Sequence, residues 1–294
     1  MGCLNSQGQF SHWFANIHLS GACNRSCYFC IGQHMPGLDP INNLDTWPLP
    51  GMDEFLTKCR EQGVKEINLT GSDTDPLLYR HLPELTAFLR KEIPGAILGI
   101  RTNGVLEERH PDLIDLFDKG SISVTSFDSA IYKKTMGHGS PPDVAGFRQR
   151  HPGFRVKGNV VLCPETVTKN SNGFCDLDAT LKYFASNGFE KVNIREPYGQ
   201  THIGDPLKGS QFEQIGTIYA MPIYNVYGMQ VTYWDVHYVE VESVNLYANA
   251  NVSVTYPVTL GHDPVLGTVF DQSKFLQGRQ HEQWKNKRKL SVVR

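Results

Sequence analysis

The chain has 294 residues, 40% hydrophobic and 20% charged. That is enough apolar material to bury a full core in one large domain or two small ones, and it excludes a disordered or fibrous polymer. Lys and Arg total 28 against 30 for Asp and Glu, so there is no broad positive field for gripping a phosphate backbone, and nucleic-acid binding is disfavoured. The sequence contains no run of about 18 apolar residues and no basic-then-apolar start, so it reads as cytoplasmic, without a transmembrane segment or secretory signal.

Residues 1–13 form an N-terminal segment. Its start, Met1-Gly2-Cys3-Leu4-Asn5-Ser6, matches a short lipidation pattern, set against the simpler reading of a plain terminus. Phe14 to Leu19 suits a strand ending at the turn Ser20-Gly21, just ahead of a group of cysteines. After a Gly-, Pro- and Asn-rich loop, Met52 to Gln62 reads as a helix with Phe55, Leu56 and Cys59 at helical spacing. Extended and helical signals then alternate: Glu66 to Leu69, Leu82 to Lys91, Ile97 to Arg101, Pro111 to Asp118 and Ser121 to Thr125. Beyond an irregular stretch from Gly137 to Pro152 come a strand at Arg155 to Leu162, a helix at Leu177 to Ser186 and a strand at Lys191 to Arg195.

Apolar strands alternating with amphipathic helices predict an α/β fold with a parallel sheet, most simply a partial six-stranded (β/α) barrel over residues 14–210; a doubly wound open sheet is the competitor. Residues 211–294 are aromatic and β-branched at Val226 to Ala248 and Ala250 to Thr259, which predicts a mostly β extension of antiparallel strands closing the barrel. A basic tail at 279–294 ends the chain.

Seven cysteines (Cys3, Cys23, Cys27, Cys30, Cys59, Cys163 and Cys175) are too unevenly spread for a disulfide scaffold, and three of them fall within eight residues. Cys23-Asn24-Arg25-Ser26-Cys27-Tyr28-Phe29-Cys30 lets one tight loop aim three thiolates at a common centre. A structural zinc takes four closed ligands, whereas an iron–sulfur cluster can leave one iron free. Cys59 reads as a small buried hydrophobe, and Cys163 with Cys175 is too sparse for a second cluster.

With an aromatic before its last cysteine, this loop resembles the CxxxCxΦC signature of the radical S-adenosylmethionine (radical SAM) superfamily, and it follows the first strand as that family requires. The turn Thr70-Gly71-Ser72-Asp73-Thr74-Asp75-Pro76-Leu77-Leu78 is similar to the family's Thr-Gly-Gly-Glu-Pro turn, with Ser72 and Asp73 replacing Gly and Glu and two residues inserted before Pro76. Arg101-Thr102-Asn103-Gly104, Ser123 to Ser126, Lys157-Gly158-Asn159-Val160-Val161 and Val192 to Pro197 continue the likeness at successive strand ends. It spans residues 14–200, and no Cys-rich C-terminal cluster domain is present.

The resemblance implies a 4Fe-4S cluster on Cys23, Cys27 and Cys30, with S-adenosyl-L-methionine chelating the fourth iron. It implies Phe29 beside the adenine, and Gly71, Ser72 and Asp73 at the methionine ammonium, with Asp73 favoured over Asp75. Asn103, Ser123, Ser126, Asn159 and Arg195 would line the rest of the cofactor. Implied too are reductive cleavage to a 5′-deoxyadenosyl radical and an electron donor such as flavodoxin or ferredoxin. Asp235, His237 and Glu196 are the candidate catalytic residues, and His138 and His202 are further polar candidates near the mouth.

The plain alternatives are capping roles for Asp73 and Asp75, a left-handed turn at Asn103 and strand-end hydroxyls at Ser123 and Ser126. About 22 residues precede Cys23, which leaves no room there for a leader-peptide domain. A small molecule or nucleotide is therefore the expected substrate, ahead of a nucleic-acid base or a peptide. A non-enzymatic iron–sulfur or zinc module is the reading from another class.

Overall fold

The structure is a computed structural model that describes residues 13–33, 41–168, 175–197, 202–218, 221–235 and 242–255. Its elements in chain order are β1 (Phe14–Leu19), α1 (Met52–Glu61), β2 (Glu66–Gly71), α2 (Leu82–Glu92), β3 (Ile97–Thr102), β4 (Lys119–Ser123), α3 (Ser129–Met136) and α4 (Val144–Arg150). There follow β5 (Arg155–Val161), α5 (Pro164–Val167), α6 (Asp176–Ser186), β6 (Lys191–Arg195), β7 (Glu213–Ile218), β8 (Met221–Val226), β9 (Met229–Trp234), β10 (Glu242–Leu246) and β11 (Val252–Thr255). Among the described residues no helix is long and apolar enough to cross a membrane.

All strands share one sheet in the order β11-β10-β1-β2-β3-β4-β5-β6-β9-β8-β7. β1 to β6 are parallel and spatially sequential. Right-handed crossovers between strands laid down in order place every connecting helix on the same face, so the sheet is singly wound as in a barrel; a doubly wound sheet requires the order to reverse. Side-chain alternation agrees. Ile17, Leu69, Leu98, Ile122, Val160 and Val192 on one face are at most 1% exposed and meet Phe55, Leu85, Leu89 and Phe184 from the helices. Each such burial contributes about 1.5 to 3 kcal/mol. The opposite, helix-free face carries polar residues.

The C-terminal strands combine two modes. β7, β8 and β9 form antiparallel hairpins, as do β10 and β11. Yet β9 joins β6 in parallel and β10 joins β1 in parallel, so the extension adds a strand to each edge of the six-stranded core. The strands before and after residue 210 thus belong to one sheet.

Three local readings differ. The segment expected as a helix from Pro111 is a 3₁₀ turn, Pro111–Leu116, and β4 begins at Lys119, because Asp118 opens the ladder by donating its N–H to the Leu98 carbonyl and accepting the Leu98 N–H on Oδ2. α4 lies inside the Gly- and Pro-rich stretch. Asp143 caps it by accepting the Gly146 N–H at 2.9 Å, which overrides the local composition.

Candidate active site at the cysteine loop

The cysteine loop leaves the C-terminal end of β1 and is held from three sides. On the β2 side, Ser72 N–H donates to Leu19 O at 2.8 Å, Thr74 Oγ1 to Ala22 O at 2.8 Å, and Gly21 N–H to Asp73 Oδ1 at 3.1 Å. On the α3 side, Ser26 N–H donates to Met136 O at 3.1 Å and Tyr28 N–H to Thr135 O at 3.4 Å. From the end of β3, Asn103 Nδ2 donates to Asn24 Oδ1 at 2.7 Å. Arg25 is nearly buried and ties the loop down by donating to Tyr132 OH, Asn24 O and Ser140 O. Neither Asn24 nor Arg25 stands out in the sequence, since any residue satisfies the x positions of the motif.

The fit is close enough to require glycines. A Cβ on Gly32 would lie 2.5 Å from Ser72 O, and one on Gly71 would lie 1.7 Å from Thr74 O. The loop after Cys30 and the turn after β2 are therefore in backbone contact, and the Cys30 thiol lies 3.7 Å from Ser72 O.

Burial, then the neighbouring Cys30 and Cys23 thiols, push the Cys27 thiol well above its ordinary range. The three thiols thus sense one another, although among the described residues no three His, Cys, Asp or Glu groups converge on a point where a single ion could sit. A polynuclear cluster spans several bonds and does not ask its ligands to meet at a point. The donor chemistry fits such a group. Three soft thiols come from one loop, and beside them the buried Asn24 Nδ2 donor has no partner among the described residues.

The remaining sequence candidates separate into groups. Asp75 is 2% exposed and fully engaged, accepting from Leu77 N at 3.0 Å, Thr102 Oγ1 at 2.8 Å and Asn103 N at 2.7 Å. Asp73 borders the cysteine loop beside Ser72. Asn103 shapes its own turn, with Oδ1 accepting the Val105 N–H, while its amide bridges to the loop. Asn159 Nδ2 lies 3.4 Å from Ser123 Oγ on the helix-free face. Ser126 is fully buried and accepts the Asp128 N–H at the start of α3, and Phe29 packs in the hydrophobic core.

At the ends of β6 and β9 the register pairs Ile194 with Tyr233 and Arg195 with Trp234. Arg195 and Trp234 therefore share the helix-free face. Glu196 and Asp235 fall one position further on, and both are buried against the loop that follows β6. Glu196 accepts from Tyr233 OH, Ile203 N and Gly204 N, and Asp235 lies 2.9 Å from His202 Nε2. That hydrogen bond, opposed by burial, raises the His202 pKa. His138 lies 3.4 Å from Ser26 Oγ at the exposed side of the loop. His237, the Cys3 pattern and the basic tail 279–294 lie outside the described residues. Cys163 is buried at the end of β5, where burial pushes its thiol up to about 12.

Of the cations on the helix-free face, sequence inspection expects only Arg195 there and passes over Arg101, Lys119, Arg155, Lys157 and Lys191. Only period-2 alternation read together with strand pairing brings them side by side.

The sequence model of the radical SAM superfamily matches residues 17–162. The chain is 28% identical over 208 residues to the GTP 3′,8-cyclase of Helicobacter pylori (strain HPAG1), covering 69% of this chain and 61% of that protein. It is 35% identical over 126 residues to the probable GTP 3′,8-cyclase of Sulfolobus acidocaldarius, covering 41% and 37%. The chain thus spans less than two thirds of the length of these curated relatives. In fold it is similar to Streptococcus suis SuiB bound to S-adenosylmethionine, with a TM-score of 0.52, 12% identity, and coverage of 89% of this chain and 63% of that one. With the cysteine triplet at the end of β1 of a singly wound parallel sheet, and the superfamily match centred on that sheet, the chain belongs to the radical SAM superfamily.

Proposed function

We propose that this chain is an enzyme that binds a 4Fe-4S cluster and S-adenosyl-L-methionine at the cysteine loop and acts on a small-molecule or nucleotide substrate lying on the helix-free face. The observation that carries the reading is the backbone contact between the loop bearing Cys23, Cys27 and Cys30 and the Gly71–Asp73 turn, with Asp73 accepting from Gly21 and the Cys30 thiol beside Ser72 O. When bound, the cluster and cofactor supply one-electron reduction of the sulfonium, releasing methionine and a 5′-deoxyadenosyl radical that takes a hydrogen atom from the substrate.

The protein's own part is positioning and exclusion. Cys23, Cys27 and Cys30 hold three irons. Asp73 and the backbone of Gly71 and Ser72 receive the methionine ammonium, since Asp75 is saturated by its own donors. Arg195 reaches the cofactor carboxylate from β6. Asn103, Ser123 and Asn159 supply polar contacts to the ribose side, while Ser126 and Phe29 support the walls. Glu196, Tyr233, Asp235 and His202 fix the loop over the strand ends. A small reduced flavodoxin or ferredoxin would deliver the electron, and a reducing cytoplasm suits three clustered thiols. A nucleotide is favoured among substrates because the curated relatives are named GTP 3′,8-cyclase.

The test is anaerobic reconstitution followed by iron counting and 5′-deoxyadenosine assay. Wild-type protein is expected to hold four irons and release 5′-deoxyadenosine slowly under reduction, and Cys27→Ala to lose both. Zinc in the native protein, or full iron in the variant, defeats the proposal.

A further inference from the structure

The helix-free face is laid out in rungs by the strand register. One rung runs Asn245, Asn16, Asn68, Gly99, Lys119 and Arg155. The next runs His18, Thr70, Arg101, Ser121 and Lys157. Arg195, level with Val161, stands two rungs nearer the strand ends. The β10–β1–β2 end of the face is thus neutral and amide-rich, and the β3–β6 end is cationic.

Within the cationic end the charges differ in how they are met. Lys119 is paired with Glu66. Among the described residues neither Arg101 nor Lys157 has an ion-pair partner, although they flank Ser121 in one rung, about 10 Å apart at two strand spacings. Gly99 leaves the adjoining position of β3 without a side chain, and a Cβ there would lie 2.2 Å from Asn68 Oδ1. The Lys157 side chain is open to solvent yet stands within this face. Its enclosure, then the charges of Arg101, Lys119 and Arg195, hold its pKa down to about 8, with Glu66 opposing them. Like charges gathered on one face destabilise one another, and a bound anion reverses the sign of that interaction.

We propose that Arg101, Ser121 and Lys157 form an anion site that takes a phosphate group of the substrate. The proposal rests on the activity proposed above and specifies the substrate's chemical class, a phosphate ester from either a nucleotide or a sugar phosphate. The spacing admits a phosphate between a guanidinium fork and an ammonium, with the buried Ser121 hydroxyl at its base. The uncharged part of such a substrate would extend toward the amide-rich end, where the fully buried Asn16 Oδ1 has no partner among the described residues.

Calorimetric titration of the anaerobic holoenzyme tests this with four probes: pyrophosphate, GTP, ribose 5-phosphate and uncharged guanosine. Saturable binding of the phosphorylated probes is expected, and GTP outcompeting ribose 5-phosphate would assign the nucleotide as the source. Lys157→Gln and Arg101→Gln are each expected to weaken pyrophosphate about tenfold or more, the loss of one charge-assisted contact. Lys157→Arg should retain most of the affinity, and Lys91→Gln, exposed on α2 on the opposite side of the sheet, should leave it unchanged. No saturable binding of any phosphorylated probe, or equal affinity in wild type and both Gln variants, overturns the site. Iron content and substrate-free 5′-deoxyadenosine release are read on the same samples, so failure of the radical chemistry and failure of the anion site appear separately.

Discussion

Asp73 and Asp75 lie two residues apart in one turn, yet their alanine variants should fail in different assays. Asp75 is buried, and three protein donors converge on it: Leu77 N, Thr102 Oγ1 and Asn103 N. Asp75→Ala leaves each donor unpaired in a site too enclosed for easy hydration. At about 1 kcal/mol or more per orphaned group, the loss is roughly 3 kcal/mol. At about 2 to 4 °C per kcal/mol for a large domain, that lowers the melting temperature by roughly 6 to 12 °C.

Asp73→Ala removes the contact to Gly21 N at 3.1 Å, and should lower the melting temperature less than Asp75→Ala does while weakening S-adenosylmethionine binding about tenfold or more. Melting followed by circular dichroism, and equilibrium dialysis of the cofactor at a temperature where both variants are folded, give the two readings. If Asp75→Ala melts like wild type yet loses the cofactor, the assignment of structural and binding roles is reversed and the reasoning fails.

Gly71→Ala forces a methyl onto Thr74 O, a backbone atom that cannot swing aside. Iron content should persist while cofactor affinity falls about tenfold, and an unchanged affinity in dialysis would show that the turn is not the cofactor's seat. A pH effect follows from His18. Burial, chiefly, holds its imidazole down at about 3 against an unperturbed 6.5, so the unfolded chain takes up a proton that the folded chain refuses. Stability from this group is complete above about pH 6.5 and declines as pH falls toward 3, by up to about 1.4 kcal/mol per unit. Melts between about pH 7.5 and 5 should fall more steeply for wild type than for His18→Gln, and parallel slopes would remove His18 as the cause.

The cysteine triplet is legible in the sequence because its spacing is local and its place after Leu19 follows from one turn signal. β1 to β6 are legible for the same reason, each being a short apolar run closed by Gly or a polar turn. What escapes is whatever depends on pairing across distance. The aromatic stretch after Val226 reads correctly as strands, but nothing local shows that β9 and β10 attach in parallel to opposite edges of the core. Asp73 and Asp75 carry the same functional group, and two of the three donors that saturate Asp75 come from the end of β3, about 27 residues away. Arg101 and Lys157 look like ordinary solvent-facing charges until the rung through Ser121 puts them side by side. α4 hides behind Gly and Pro because its cap, Asp143, outweighs the composition around it.

The attachment of β10 to β1 has a kinetic consequence. Asn16 donates to Asn245 across a separation of 229 residues, so the outer edge of β1 stays unpaired until nearly the whole described chain has left the ribosome. At roughly 5 to 20 residues per second, that edge is open for tens of seconds during synthesis. Closing so long a loop is slow but costs only logarithmically more than closing a shorter one, so the delay burdens the rate of folding far more than its equilibrium. Through that interval β1, with the cysteine loop at its end, presents free N–H and C=O groups to any passing strand, which makes this edge the place where a nascent copy is most exposed to mispairing.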